Sequence, residues 1–403
     1  MKKAIKTILI GLIPFVGFAQ GTKDSVNTAG GVNDHFYSFD NGSVATRTAA
    51  DWHIAFEISG FSGSIRVNGP AGVKLFRAPY TVANFATVDT AGMSSWDELV
   101  NSTATWSSGA FNSDPADDYD LGWGVYNPAN HIVEGDSVYL IQLPNKDYKK
   151  IYIHQLVGGK YIFKHADLDG KNEKTDQLAK ADFGGKVFGY FNLTTGKIVD
   201  TEPNKDDWDI LFTKYIDLVP TPYALSGVLI NPAAEVAQRD GVDVSSNDTS
   251  SLTWTNNIST IGSDWKRYNF PMGVYEITAD QAFFVRTGAG AVWKMYFTAF
   301  KGGTDGEFVF VKELIKGSAA ISNTYLSNAV NVFPNPSNNG VFNIATEQLQ
   351  NASYVLTNMN GQVIMKGQLE GQFSIDLSSE TDGLYFLSIW DGQNSAQKVL
   401  MKH

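Results

Sequence analysis

Six histidines are the first groups to test for chemistry: His35, His53, His131, His154, His165 and His403. None stands in a His-x-x-x-His pattern, and the chain has no cysteine, so the spacing of a structural zinc site is missing. The stretch from His165 to Glu173 has several carboxylates but not the regular oxygen-ligand spacing of a calcium loop. Asp117-Asp118 and Asp206-Asp207 are adjacent pairs. Neighbouring side chains of an extended chain face opposite ways, so such a pair makes a poor general acid/base couple. There is no Gly-x-Ser-x-Gly, no phosphate-cradling glycine loop and no His-Glu-x-x-His. The expectation is a binding protein, not an enzyme; a hydrolase working through Asp117 or Asp206 has no positive sign in its favour.

The elements that must position these residues read as strands. Hydrophobic residues are 43% of the chain and charged ones only 18%, with abundant Gly, Phe and Tyr, which favours sheets and turns. Short alternating runs such as Ile151-Tyr152-Ile153 and Tyr161-Ile162-Phe163 are bounded by Gly, Asn, Asp and Pro. Trp96 to Val100 is expected to form one short helical turn. An internal repeat organises the strands. Residues 36–56 parallel 188–212, each ending in Asp-Trp-x-Ile-x-Phe. Residues 132–156 parallel 276–300, bringing Lys150 onto Lys294. The predicted architecture is all-β: two tandem antiparallel β domains, 33–170 and 185–317, plus a C-terminal β-sandwich at 329–403. Lys171 to Asp182 is expected to be a linker.

The ends address the chain outward. Lys2, Lys3 and Lys6 precede the apolar run Ile8–Phe18, with Gly17 and Ala19 placed for cleavage; residues 1–19 read as a signal peptide and Gln20 as the mature start. Loss of three lysines takes the formal charge from −11 to −14, which argues against nucleic acid as a partner.

The last segment carries Asn331-Val332-Phe333-Pro334-Asn335-Pro336, Gly340, Asn360-Gly361, Ile375-Asp376-Leu377, Gly383-Leu384-Tyr385 and basic Lys398 and Lys402. It resembles the C-terminal sorting domain of type IX secretion cargo. That implies the secretion machinery as a partner and a secreted or outer-membrane surface location. The two repeat units resemble the HmuY family of haem-binding surface proteins. The likeness rests on Tyr190-Phe191, Asp207-Trp208-Asp209-Ile210-Leu211-Phe212, Phe283 to Gly288 and Lys294-Met295-Tyr296-Phe297. It implies haem or another porphyrin, gripped between finger-like loops by two axial side chains. The second ligand position falls near Tyr126 and Tyr268, in Trp123-Gly124-Val125-Tyr126-Asn127 and Trp265-Lys266-Arg267-Tyr268-Asn269. His131 and Met272 are nearby imidazole and thioether candidates. The loop 232–256, which would hold the first ligand, has neither His nor Met. The rival expectation is therefore a surface adhesin or scaffold without haem, using Trp106, Phe111 and Trp254 to grip glycan or protein.

Overall fold

The computed structural model describes residues 21–60, 62–317, 330–346, 352–358, 362–369, 373–390 and 395–403. The signal peptide, Gln20 and the Asn360-Gly361 turn lie outside the described residues. The chain forms two compact units, one of residues up to Gly288 with Val292–Lys316, the other holding the C-terminal strands.

The first unit opens with β1 (Thr22–Asn27), β2 (Asn33–Ser38), β3 (Gly42–Thr48), β4 (Ile54–Glu57), β5 (Ile65–Val67), β6 (Lys74–Thr81) and β7 (Glu98–Leu99). It continues with β8 (Gly124–Asn127), β9 (Ile132–Gly135), β10 (Ser137–Gln142), β11 (Tyr148–Val157), β12 (Lys160–Asp167) and β13 (Lys174–Ala179). Then come β14 (Phe188–Asn192), β15 (Lys197–Val199), β16 (Ile210–Leu218), β17 (Pro222–Ile230) and β18 (Glu235–Arg239). It closes with β19 (Lys266–Asn269), β20 (Val274–Ile277), β21 (Ala282–Arg286), β22 (Val292–Phe300) and β23 (Glu307–Lys316).

The repeat is visible in the sheet order. One sheet runs β13-β12-β11-β10-β6, extended by β7; another runs β1-β23-β22-β21-β18. Chain order matches β6 to β18, β10 to β21, β11 to β22 and β12 to β23. The outer strand, however, comes from the other repeat in each case: β1 covers β23 and β13 covers β12. The two four-stranded sheets, β15-β14-β4-β5 and β17-β16-β2-β3, are mixed in the same way. Three strands from the start of each repeat are thus exchanged. The units expected at 33–170 and 185–317 are not separate sheets. The packed halves are residues 52–199 (half A) and residues 22–48 with 208–316 (half B), each around its own core. The expected linker at 171–182 holds β13, because Leu178 alternates inward as Val26 does in β1. The turn expected at Trp96–Val100 contains β7 instead.

Period-two burial explains the seam between the halves. Ile54 and Phe56 enter the core of half A while Ala55 faces the seam; Ile210 and Phe212 enter half B while Leu211 faces the seam. Trp208 sits edge-on to Phe36 there, 5.2 Å between ring centres. Strands apolar on both faces read as continuous hydrophobic runs, as Ile210-Leu211-Phe212 does. Lys150 and Lys294, matched by the repeat, are both 1% exposed. Lys294 pairs with Glu313 at 2.9 Å, and Lys150 donates to the Ala86 carbonyl at 2.9 Å.

The second unit is a β-sandwich. Val330–Phe333, Val341–Thr346 and Phe373–Asp376 form one sheet; Val363–Leu369, Ala352–Asn358, Gly383–Trp390 and Ser395–Lys402 form the other. Phe342, Ile344, Leu356, Ile375, Leu387 and Leu400 fill the space between them.

Candidate functional site

The hairpin β8–β9 brings Tyr126 and His131 together. Trp123 anchors it: the indole is fully buried and donates through Nε1 to the Gly63 carbonyl at 2.8 Å. The turn closes when the His131 amide donates to the Asn127 carbonyl at 2.8 Å. The Asn127 and Asn130 side chains accept from the amides of Ala129 and Ile132. His131 has φ 60°, the left-handed region, which costs a non-glycine residue roughly 1 kcal/mol. This bend carries the imidazole back over the strand. Tyr126 Oη and His131 Nδ1 lie 2.7 Å apart, in a hydrogen bond whose direction follows the imidazole tautomer. Tyr119 also stacks on Tyr126, 6.3 Å between ring centres.

Both side chains line a cleft of about 870 Å³. Leu121, Val133 and Leu156 form its apolar wall. Ser62, Ser107, Ser108, Asp118, Asp120 and Lys180 supply polar groups. The loop 107–121 is held in place by Asn112. Its side chain accepts from Ile65 N at 2.9 Å and donates to the Leu121 carbonyl at 2.9 Å. Gly109 cannot be replaced there, since a Cβ would lie 1.9 Å from the Ile65 carbonyl oxygen. Behind the cleft, the Ser59 and Ser107 hydroxyls donate to Glu57 Oε1, both at 3.1 Å. Lys180 donates to the Ser62 carbonyl at 2.5 Å, and its burial lowers the ammonium pKa.

Tyr268 and Met272 sit on the matching hairpin of half B, β19–β20. Trp265 is its buried anchor, stacked on Phe297 at 3.7 Å. The left-handed turn residue here is Gly273, φ 66°, donating to the Asn269 carbonyl at 2.8 Å. Gly273 therefore stands where half A has His131. The Tyr268 ring packs against Phe270 and Tyr275, each at 5.0 Å. Met272 is 70% exposed at the tip. The four predicted residues fall on two equivalent hairpins, and a phenol meets an imidazole only in half A. Sequence reading missed Tyr119, Asp120 and Lys180. Nothing local in the sequence marks them, because loop 107–121 and the start of β14's approach meet β8–β9 only through the tertiary fold.

The aromatics proposed as exposed grips are not free. Phe111 is fully buried against Tyr139 at 4.7 Å. Trp106 donates through Nε1 to the Ile230 carbonyl at 2.9 Å. Trp254 is half-buried beneath the Arg286 guanidinium at 4.1 Å. Asp117 caps a turn, accepting from the amides of Tyr119 and Asp120. A second cavity, about 310 Å³, is lined by Arg47, Trp52, Arg66 and Trp106. Its arginines serve the fold: Arg47 pairs with Asp34 at 2.9 Å, and Arg66 donates to the carbonyls of Ser102 and Thr105, both at 2.9 Å. Burial holds the Arg66 guanidinium down at about 10. Among the described residues, no group of three or more His, Asp or Glu side chains is placed to hold a metal ion.

Residues 331–403 match the secretion system C-terminal sorting domain. The chain thus carries a type IX secretion sorting domain. It is therefore a secreted or outer-membrane surface protein, and its sorting domain engages the type IX machinery. No curated protein matches the chain.

Proposed function

We propose that this chain is a surface binding protein, not an enzyme, and that the cleft of half A takes ferric haem or a related ferric porphyrin. The observation that carries the reading is the Tyr126–His131 contact at 2.7 Å on the lip of the cleft. A phenolate is an established axial donor to ferric haem. The His131 imidazole, hydrogen-bonded to the Tyr126 oxygen, is placed to accept its proton. Bound haem would supply a Lewis-acidic ferric ion for that oxygen. Leu121, Val133 and Leu156 offer apolar contact to the ring, and Lys180 a cation for a carboxylate. The resemblance of the repeats to the HmuY family supports the same ligand class. His131 adds a further indication: a residue that occupies a strained backbone position is often kept there for function.

A second reading follows from the wall itself. Ser62, Ser107, Ser108, Asp118 and Asp120 offer hydroxyls and carboxylates to a polyhydroxylated ligand, so a neutral glycan is the alternative. Titration of the protein with haemin decides between them. The expected result is a saturable Soret band that is lost in Tyr126→Phe and retained in Tyr268→Phe. Absence of saturable binding in both oxidation states, with binding on a glycan array, would transfer the cleft to the second reading.

A further inference from the structure

Among the described residues, half B exposes an apolar surface that has no counterpart on the β8–β9 tip of half A. Leu218, Val219 and Tyr223 stand at the tip of the β16–β17 hairpin, and Tyr268, Phe270 and Met272 on β19–β20; all six are between 43% and 84% exposed. The two hairpins are neighbours. Lys266 of β19 donates to the Ser226 carbonyl of β17 at 2.5 Å, and Tyr268 packs edge-on against Tyr275 of β20 at 5.0 Å. The fold does not require this surface. The equivalent tip of half A reads Asn127-Pro128-Ala129-Asn130-His131 and closes with the same turn hydrogen bond.

We propose that this surface is a self-association face, on which a second copy of the chain docks patch to patch. Taking about 200 Å² for each full side chain, the six expose roughly 750 Å². A standard interface buries about 800 Å² per partner, so the patch alone approaches what a two-fold dimer needs. Contiguous exposed apolar patches of this size mark interaction sites on soluble proteins. Charge on β19–β20 does not oppose self-pairing, because Arg267 and Glu276 of that hairpin are joined at 2.7 Å. Other occupants fit less well. An acidic chain of net charge −11 is repelled by anionic lipid. The Tyr268 and Phe270 rings meet at 90°, so they form no flat platform for stacking along a polysaccharide.

Sedimentation velocity on the intact protein across a concentration series tests the proposal. The expected result is a monomer–dimer equilibrium, with the double variant Phe270→Ser/Met272→Ser weakening the dimer about tenfold or more. Both residues are exposed, so the melting temperature should not fall. Ala129→Ser, on the equivalent tip of half A, should leave the dimer unchanged. A monomer at every concentration, or a dimer indifferent to the double variant, overturns it. Flotation of the monomer with phosphatidylethanolamine vesicles, lost in the double variant, would overturn it in favour of a lipid surface.

Discussion

The hairpins β8–β9 and β19–β20 are one device used twice, with different tips. Each hangs from a buried tryptophan, each places a tyrosine three residues later, and each closes through an amide donated to an asparagine carbonyl. At the left-handed position one has His131 and the other Gly273. The first gains an imidazole against its tyrosine and borders a cleft. The second gains nothing polar and presents Phe270 and Met272 to solvent. A duplicated scaffold conserves the anchor, where burial dictates the residue, and diverges at the tip, where it does not.

The hardest way to break the comparison is at the anchors. Trp123→Ala or Trp265→Ala removes a fully buried indole together with the hydrogen bond it donates, to the Gly63 or the Gly262 carbonyl. Each should cost about 3–5 kcal/mol in denaturant unfolding. A loss confined to one of them would show that the two hairpins are not anchored alike.

The next effect concerns the tips. Tyr126→Phe removes the axial oxygen and should abolish the saturable Soret band. Tyr268→Phe should not change it, since the imidazole partner is missing there. Equal effects would erase the distinction between the halves.

A third difference lies beside the anchors, where half A has Gly124 and half B has Lys266. Burial, opposed by the charge of Asp264, lowers the Lys266 ammonium from 10.5 to about 7. Its Nζ lies 4.1 Å from the centre of the Trp265 ring. The unfolded chain binds a proton that the folded chain does not between about pH 7 and 10.5, so stability rises with pH across that window. Below about 7 both states are protonated and the penalty is constant. Lys266→Met should flatten the profile there, by up to about 1.4 kcal/mol per pH unit relative to the parent. Parallel stability–pH curves for the two proteins would refute the assignment.

The strands and the duplication were legible because both are local: alternation within Ile151–Ile153, and the matching Asp-Trp-x-Ile-x-Phe stretches around Trp52 and Trp208. The equivalence of Tyr126 and Tyr268 followed from the same register. The exchange of β1–β3 with β13–β15 was not legible, since Val26 and Leu178 alternate identically whichever edge they cover. Loop aromatics misled for a related reason. Trp106 and Phe111 sit among Ser, Gly and Asn, yet their partners, Ile230 and Tyr139, lie far along the chain. The pairing of His131 with Gly273 needed the turn geometry, because the residues share no chemistry.

That pairing yields the smallest and most selective test. His131→Gly copies the tip of half B into half A. Removing a side chain from a backbone at φ 60° relieves about 1 kcal/mol of strain, while glycine's freedom in the unfolded chain takes back roughly 0.5–1 kcal/mol. The net change in stability should therefore lie within about 1 kcal/mol of zero by thermal unfolding. His131→Ala keeps the strain and loses the imidazole, so it should be the less stable of the two. Both should weaken haemin equally if His131 acts only as the proton partner of Tyr126. If His131→Gly costs several kcal/mol instead, the imidazole holds the hairpin together, and its left-handed backbone is no sign of ligand chemistry.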